Sequence, residues 1–139
     1  PKINSLSKFN CIQACIEAHN KGGDEGLMLD INGYVSTCNS TNFFIIKNNA
    51  VITSIGKYCL NGVTRGKIIE LCKENNIEIL LKNFTLDDVY SADGAFVTGT
   101  FAGVIPVTQI NQCNFNLQKE SIIQHLFNLY KEKIKTLYL

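Results

Sequence analysis

This 139-residue chain has a single arginine, no run of about 18 apolar residues, and almost no excess of charge of either sign. The 13 basic and 12 acidic residues leave a formal net charge of +1, and the lysines are scattered along the chain. Without a basic patch we expect no nucleic-acid partner, and without a long apolar run we expect no membrane span. The hydrophobic fraction of 45% excludes a disordered chain, and the length predicts one domain with a sizeable core.

The start of the chain lacks both an initiator methionine and the charged-then-apolar pattern of a secretory signal. We therefore expect a cytoplasmic protein, and a processed or fragmentary polypeptide whose active site is completed elsewhere. Cysteine is plentiful, but every copy falls within an apolar periodic segment, which favours free buried thiols over disulfides. These are Cys11, Cys15, Cys38, Cys59, Cys72 and Cys113.

The hydrophobic pattern predicts helices interspersed with strands that mostly pair as hairpins. Helical spacing of apolar residues covers residues 5–21, 65–75 and 121–136, and Thr85 with Asp88 resembles a capping box that opens a short fourth helix. Apolar runs predict strands at residues 26–30, 34–36, 43–47, 50–54, 77–81, 95–98 and 104–110. The dipeptides at residues 32–33 and 48–49 favour turns. Because strict alternation of strand and helix is absent, we predict an α+β fold, or a mixed-sheet α/β domain.

Three predicted loops are unusually rich in small and hydroxyl-bearing residues, at residues 37–42, 61–65 and 98–103. Each offers backbone N–H groups and hydroxyls, and the second leads directly into a helix. A phosphate accepts several such hydrogen bonds and is favoured by the helix dipole. Taken singly, each loop is equally consistent with ordinary turn chemistry, because glycine and threonine are common in turns.

Three stretches of sequence, in this order, resemble the class IV aminotransferase family of pyridoxal-phosphate enzymes. They are GYVSTCNSTNFFIIK at residues 33–47, NGVTR at residues 61–65, and SADGAFVTGT with the later IPV within residues 91–107. The resemblance spans residues 1–110 and covers the larger, C-terminal domain of the D-amino-acid aminotransferase-like fold. It implies that residues 1–139 form a single cofactor-binding domain, that the smaller N-terminal domain is absent from this chain, and that the protein works as a homodimer.

The resemblance also implies roles for individual residues. The phosphate of pyridoxal 5'-phosphate would be held by Val63 and Thr64 at a helix start and by Thr100. The backbone around Phe101 and Ala102 would receive the carboxylate of the substrate. No metal ion is expected.

The family holds its cofactor on a lysine just before the first helix of this domain. Alignment without gaps places Asn4 at that position, whereas an insertion of two residues places Lys2 there. We favour Lys2, which would take the proton from the substrate's α-carbon. Lys8, within the helix, and the absence of any functional lysine are the alternatives.

A second departure from the family concerns the ring nitrogen of the cofactor. Most relatives place a glutamate where this chain has Thr37, and its carboxylate keeps the nitrogen protonated. Protonation makes the ring a strong electron sink, and a hydroxyl cannot enforce it through charge. Thr37 is therefore expected to face the nitrogen and to weaken stabilisation of the substrate carbanion.

Other side chains of possible chemical interest have simpler interpretations. Cys11, Cys15 and His19 follow one another at four-residue steps, but a helix separates the first and last by about 12 Å, too far for one tetrahedral ion. His125 has no acidic or serine companions and is expected on a helix surface. Arg65 is assigned a structural or helix-capping role, with an exposed helix residue as the alternative.

The favoured function is that of a pyridoxal-phosphate-dependent aminotransferase acting on an amino acid and a 2-oxo acid. One alternative is a lyase on the same scaffold, similar to aminodeoxychorismate lyase. The other is a degenerate, non-catalytic domain. All of these require Thr64 and Thr100 to meet at one place in the fold.

Overall fold

The computed structural model describes residues 8–117 and 121–138. The helices are α1 (Phe9–Asn20), α2 (Val63–Glu74), α3 (Leu86–Tyr90) and α4 (Ile122–Tyr138). The strands are β1 (Leu27–Leu29), β2 (Val35–Cys38), β3 (Asn42–Lys47), β4 (Ala50–Thr53), β5 (Ile79–Leu81), β6 (Gly94–Gly99), β7 (Gly103–Pro106), β8 (Gln109–Ile110) and β9 (Cys113–Asn114). None of the four helices in these described ranges has the length and apolar character needed to cross a bilayer.

Five of the strands form a central sheet in the order β5-β4-β3-β6-β7. Its neighbours are antiparallel except for β4 and β5, which run parallel and are joined through α2. The strand pairs β1–β2 and β8–β9 form two smaller antiparallel sheets. The prediction of a mixed sheet interspersed with helices is confirmed.

Strand β3 lies in the middle of the sheet and is covered on both faces. Its nearly continuous apolar sequence suits this position, because a strand buried on two sides needs apolar residues at every step. Phe44 faces α2 and α4, where its ring stacks on that of Phe96 with centroids 4.7 Å apart. Phe43 faces the opposite way and packs in a second apolar cluster with Val35 and Phe84.

The two ends of the central sheet differ, and the difference organises the molecule. At the end that we call the turn end, β3 passes directly into β4 through Asn48 and Asn49, whose φ angles of 51° and 62° fit the tight hairpin turn predicted there. At the opposite end, which we call the loop end, β3 begins at Asn42 and β6 finishes at Gly99. The three polar loops lie at this loop end.

The structure departs from the sequence predictions in three places. The strand predicted at residues 104–110 is split into β7 and β8, since pairing with β6 stops at Pro106. Strand β1 is only partly buried because it pairs with β2 outside the central sheet. Helix α1 has no buried residue, so Cys15 is exposed and Cys11 is only partly covered. Cys113 in β9 is also only partly covered, so the prediction of buried thiols is wrong for these three cysteines.

Candidate functional site

The start of β3 is in direct contact with the loop that leads into α2. Asn42 is buried, and its side-chain amide donates a hydrogen bond of 2.9 Å to the carbonyl oxygen of Leu60. A Cβ atom placed on Gly62 would lie 2.5 Å from the Asn42 side-chain oxygen, so only glycine fits this approach. The polar loops at residues 37–42 and 61–65 therefore meet at this point.

The third polar loop joins the same cluster through the end of β6. Thr98 pairs directly with Asn42 across the β3–β6 ladder, and directly opposed residues place their side chains on the same face. One residue further on, a Cβ atom on Gly99 would come within 3.3 Å of the Thr41 methyl group. The turn at residues 100–102, between β6 and β7, thus projects from the loop end.

Helix α2 begins in this cluster with unpaired donors. Gly62 is its N-cap and supplies no side-chain cap, and the first turn contains no acidic residue. The N–H groups of Val63, Thr64 and Arg65 have no carbonyl one turn earlier to bond to, as in any helix start. Thr64 is 5% exposed, while the Val63 side chain points outward. This helix start is therefore a set of donors with a partial positive charge that nothing in the first turn neutralises.

Buried polar groups hold the loop before α2 in place. The guanidinium of Arg65 donates hydrogen bonds to the carbonyl of Ser54, at 2.7 Å, and to the side-chain oxygen of Asn61, at 2.9 Å. The Ser36 hydroxyl donates to the carbonyl of Tyr58 at 3.0 Å. Arg65 is 5% exposed, so the alternative of an exposed helix residue is wrong, and a structural share in the helix start agrees with these contacts.

A carboxylate anchors the loop at residues 37–42 from outside. Glu25 accepts hydrogen bonds from the hydroxyls of Ser40 and Thr41, the latter at 2.5 Å. The Thr37 hydroxyl donates to the carbonyl of Thr41 at 2.7 Å. The proton of Thr37 is thus already engaged, and its oxygen accepts a long hydrogen bond of 3.5 Å from the side-chain amide of Asn42, which leaves one lone pair as a further acceptor.

Cys38 in the same loop is not a nucleophile. Burial, with a smaller contribution from the nearby Glu25 carboxylate, raises the pKa of its thiol to about 12. The thiol is therefore protonated near neutral pH, whereas nucleophilic attack requires the thiolate.

The structure places six of the seven predicted site residues. All six belong to the loop-end cluster or to the turn that projects from it, namely Val63, Thr64, Thr100, Phe101, Ala102 and Thr37. Lys2, the seventh, lies outside the described residues. Arg65, which was expected to have a structural or helix-capping role, lies buried in the first turn of α2. Lys8 is the N-cap residue of α1 and provides no side-chain cap.

The tip of the third loop is exposed, and the surface hollows lie away from it. Thr100, Phe101 and Ala102 are exposed, and Phe101 is fully so. Two surface hollows, of about 310 and 420 Å³, lie elsewhere, along β4, β5 and the turn end, and neither contains a predicted site residue. The loop-end cluster therefore combines buried polar side chains with an exposed tip at residues 100–102.

The sequence analysis missed two residues of this cluster. Asn42 connects two of the loops, and Thr98 is 2% exposed with no hydrogen-bond partner for its hydroxyl within the described part of the chain. A signal was present in the period of two along a strand, since Thr98 follows the core residue Phe96 and must share its face. Spacing alone could not show that Asn42 on β3 lies opposite Thr98 and makes this end of the face polar.

Comparison with known proteins assigns the chain to a family. The family model described as "Amino-transferase class IV" matches residues 1–110. A putative branched-chain-amino-acid aminotransferase of Methanocaldococcus jannaschii is 36% identical over 136 residues, which make up 97% of this chain and 46% of that protein. The chain spans less than half the length of this curated relative.

Solved structures give the same result for the fold. The holo form of a branched-chain aminotransferase from Thermobaculum terrenum, determined with its pyridoxal phosphate, matches 98% of this chain and 46% of its own, with a TM-score of 0.92 and 27% identity. A putative 4-amino-4-deoxychorismate lyase from Legionella pneumophila matches 94% of this chain and 49% of its own, with a TM-score of 0.89. At 24% identity, the second likeness concerns the fold alone. The family match and these folds together show that the chain belongs to the class IV aminotransferases.

Proposed function

We propose that this chain is the larger domain of a pyridoxal-phosphate-dependent aminotransferase that exchanges an amino group between an amino acid and a 2-oxo acid. The observation that carries the proposal is the meeting of three polar loops at the loop end, around a helix start with no acidic neighbour in its first turn. Family membership gives this cluster its chemical interpretation.

The cluster fits the phosphate of the cofactor. The N–H groups of Val63 and Thr64 and the Thr64 hydroxyl are available at the start of α2, and Thr100 lies on the adjacent turn. The close approaches of Asn42 to Gly62 and of Thr41 to Gly99 bring the backbones of the three loops together at this point. A dianion placed there would gain several charge-assisted hydrogen bonds and the favourable end of a helix dipole.

Other residues of the chain are assigned to the reacting part of the site. Bound pyridoxal phosphate supplies an electron sink for the negative charge that develops when an amino acid loses its α-proton. Lys2 is the proposed lysine partner of the cofactor and carrier of that proton. The backbone of Phe101 and Ala102 is proposed to bind the substrate carboxylate. Thr37 is proposed to face the ring nitrogen, where its neutral oxygen gives weaker support than a carboxylate.

The proposal is tested by reconstituting the chain with pyridoxal phosphate. We expect a visible absorbance band that borohydride fixes covalently, and peptide mapping that finds the modification on Lys2. Removing the Thr64 hydroxyl in Thr64→Val should weaken cofactor binding by about ten- to a hundredfold, because hydrogen bonds to a charged group contribute about 1.5–3 kcal/mol. Thr136→Val, on the exposed face of α4, is the matched control and should bind normally. Failure of the chain to bind the cofactor would overturn the proposal.

Two other outcomes correspond to other functions. Release of ammonia or pyruvate without an acceptor acid would indicate a lyase, for which the likeness of fold to the Legionella protein is the supporting observation. Cofactor binding with no covalent adduct and no turnover would indicate a non-catalytic domain, for which the departures at Asn4 and Thr37 are the motivation.

The oligomeric state and the cellular location of the protein are also part of what we propose. We infer a homodimer with a further N-terminal domain, supported by the exposed apolar side chains of α1, since Phe9, Ile12 and Ile16 are 74%, 55% and 55% exposed in the isolated chain. We infer a cytoplasmic protein, supported by the free thiol state of all six cysteines. Sedimentation analysis of the chain and of its full-length parent tests the first inference.

A further inference from the structure

Arg65 carries a buried positive charge that no carboxylate of the described residues neutralises. The side chain is 5% exposed, and its hydrogen bonds go to the neutral oxygens of Ser54 and Asn61. The remaining nitrogen, Nε, has no partner in the described residues. The ion pairs found in residues 8–117 and 121–138 involve other side chains only. Burial lowers the pKa of the guanidinium, yet arginine remains protonated near neutral pH.

This charge lies in the first turn of α2, where the helix end adds a positive charge of its own. The first turn of the helix contains no acidic residue to balance either of them. The buried side chains on the same side of the loop end, Asn42 and Thr98, supply only neutral groups. Burial of an uncompensated charge is costly, because the ion loses its hydration without gaining a counter-ion. The arrangement is therefore short of one negative charge at the helix start.

We propose that Arg65 balances the charge of a dianion held at the N–H groups that begin α2, acting through the low-dielectric interior without touching the ligand. This inference rests on the proposed function, and it adds a residue that the phosphate contacts alone would not identify. Arg65 is also a positioning residue, because one of its hydrogen bonds ties α2 to the carbonyl of Ser54 just after β4 and the other holds Asn61 in the loop before the helix.

The expected size of the effect follows from the distance over which the charge acts. For a separation on the order of 10 Å and an effective dielectric constant of about 20, a unit charge alters the affinity for each negative charge by about tenfold. A purely structural clamp would act differently, because it would depend on the hydrogen bonds to Ser54 and Asn61 and not on the sign of the charge. The two roles are separated by substitutions that keep or remove the charge.

The experiment measures binding of inorganic phosphate to the 139-residue chain by calorimetry in phosphate-free buffer, with the rise in melting temperature as a second readout. We expect Arg65→Met to weaken phosphate binding at least tenfold and Arg65→Lys to stay within about threefold of the parent. Lys73→Met removes a positive charge from the exposed last turn of the same helix and should change binding less than twofold. Should Arg65→Met not fold, Arg65→Gln, which is also neutral, replaces it.

Two results would overturn the inference. One is unchanged phosphate binding in the neutral variants; the other is an equal loss in Arg65→Lys and Arg65→Met, which would reduce Arg65 to a structural clamp. A parent chain that binds no phosphate overturns it as well. A parent chain that binds phosphate with the predicted dependence on Arg65 but fails to bind pyridoxal phosphate supports this inference while overturning the proposed function. A parent chain that binds the cofactor while Arg65→Met binds phosphate normally supports the proposed function and overturns this inference.

Discussion

The two ends of the central sheet are built from the same strands but satisfy their polar groups in opposite ways. At the turn end, opposite charges pair near solvent in the Lys47–Asp88 contact of 3.3 Å. At the loop end, polar side chains are buried and mostly bond to backbone carbonyls. Both buried polar atoms left without a partner in the described residues, Arg65 Nε and Thr98 Oγ1, belong to the loop end.

The difference separates stability from function within one fold. A surface ion pair such as that at the turn end contributes little to stability. Breaking it also costs little, because water can replace either partner. A buried polar cluster in which some atoms lack hydrogen-bond partners lowers the stability of the fold. Such locally unfavourable arrangements are expected at functional sites. The comparison therefore supports the proposal that the loop end is the functional end, by a criterion independent of any family likeness.

The sharpest way to break this comparison is to fill the closest approach at the loop end. Gly62→Ala places a methyl group 2.5 Å from the Asn42 oxygen, so we expect a loss of about 1–3 kcal/mol in unfolding free energy and at least a tenfold loss of cofactor affinity. Gly66→Ala, four residues along the same helix with open space around it, should instead raise stability by about 0.5–1 kcal/mol and leave binding unchanged. Denaturant unfolding and cofactor titration measure both. Equal behaviour of the two alanines would contradict the proposed crowding.

A smaller effect is expected from removing the link between two loops. Asn42→Ala removes the amide that donates to the carbonyl of Leu60, which keeps a second donor in the N–H of Gly62, so we expect a loss of about 0.5–1.5 kcal/mol together with weaker cofactor binding. Asn128→Ala, on the exposed face of α4, is the control and should alter neither property. A stability loss without any change in binding would limit Asn42 to a role in folding.

At the turn-end side of the molecule, changes should affect stability alone. Thr85 and Asp88 form the capping box of α3, with the Thr85 N–H donating to the Asp88 carboxylate at 3.0 Å. Thr85→Ala should therefore cost about 1 kcal/mol and leave cofactor affinity unchanged. Chemical unfolding and cofactor titration of the variant measure the two quantities, and a binding defect would contradict the separation of the two ends.

The same cap gives a pH dependence with a defined sign. The backbone N–H of Thr85, and to a lesser extent Lys47, lowers the pKa of Asp88 below its ordinary 3.8. A carboxyl group with a lowered pKa stabilises the fold above its ordinary value, and this contribution is lost as the pH falls through the lowered one. The stability difference between the parent and Asp88→Asn should thus be full at neutral pH and disappear in acid below pH 3.8. A difference that persisted in strong acid would contradict this assignment.

The smallest effect, and one of opposite sign, is expected at the hairpin itself. Asn49 has a φ of 62°, which glycine adopts without strain, and the Asn-Gly pair is the preferred sequence for this turn. Asn49→Gly should raise the melting temperature slightly, by the equivalent of about 0.5 kcal/mol or less. A clear fall in the melting temperature would show that the Asn49 side chain contributes more than its backbone conformation suggests.

The local parts of this structure could be predicted from sequence, whereas the parts that depend on distant contacts could not. The hairpin at Asn48 and Asn49 and the capping box at Thr85 are confirmed because their causes lie within four residues. The burial of Arg65 was not predictable in this way, since it depends on the carbonyl of Ser54 at the end of another strand. The roles assigned to Thr64 and Thr100 stay predictions, although both residues lie at the loop end.

The parallel pairing of β4 and β5 has a consequence for how this chemistry can change over time. Because β4 and β5 run parallel, α2 must begin at the end of the sheet where β4 finishes and run back toward the end where β5 begins. The connectivity therefore places the positive end of the helix dipole at that end of the sheet, whatever side chains the surrounding loops carry. Sequence drift in those loops can retune or abolish catalysis, while the capacity to attract an anion is inherited with the topology itself.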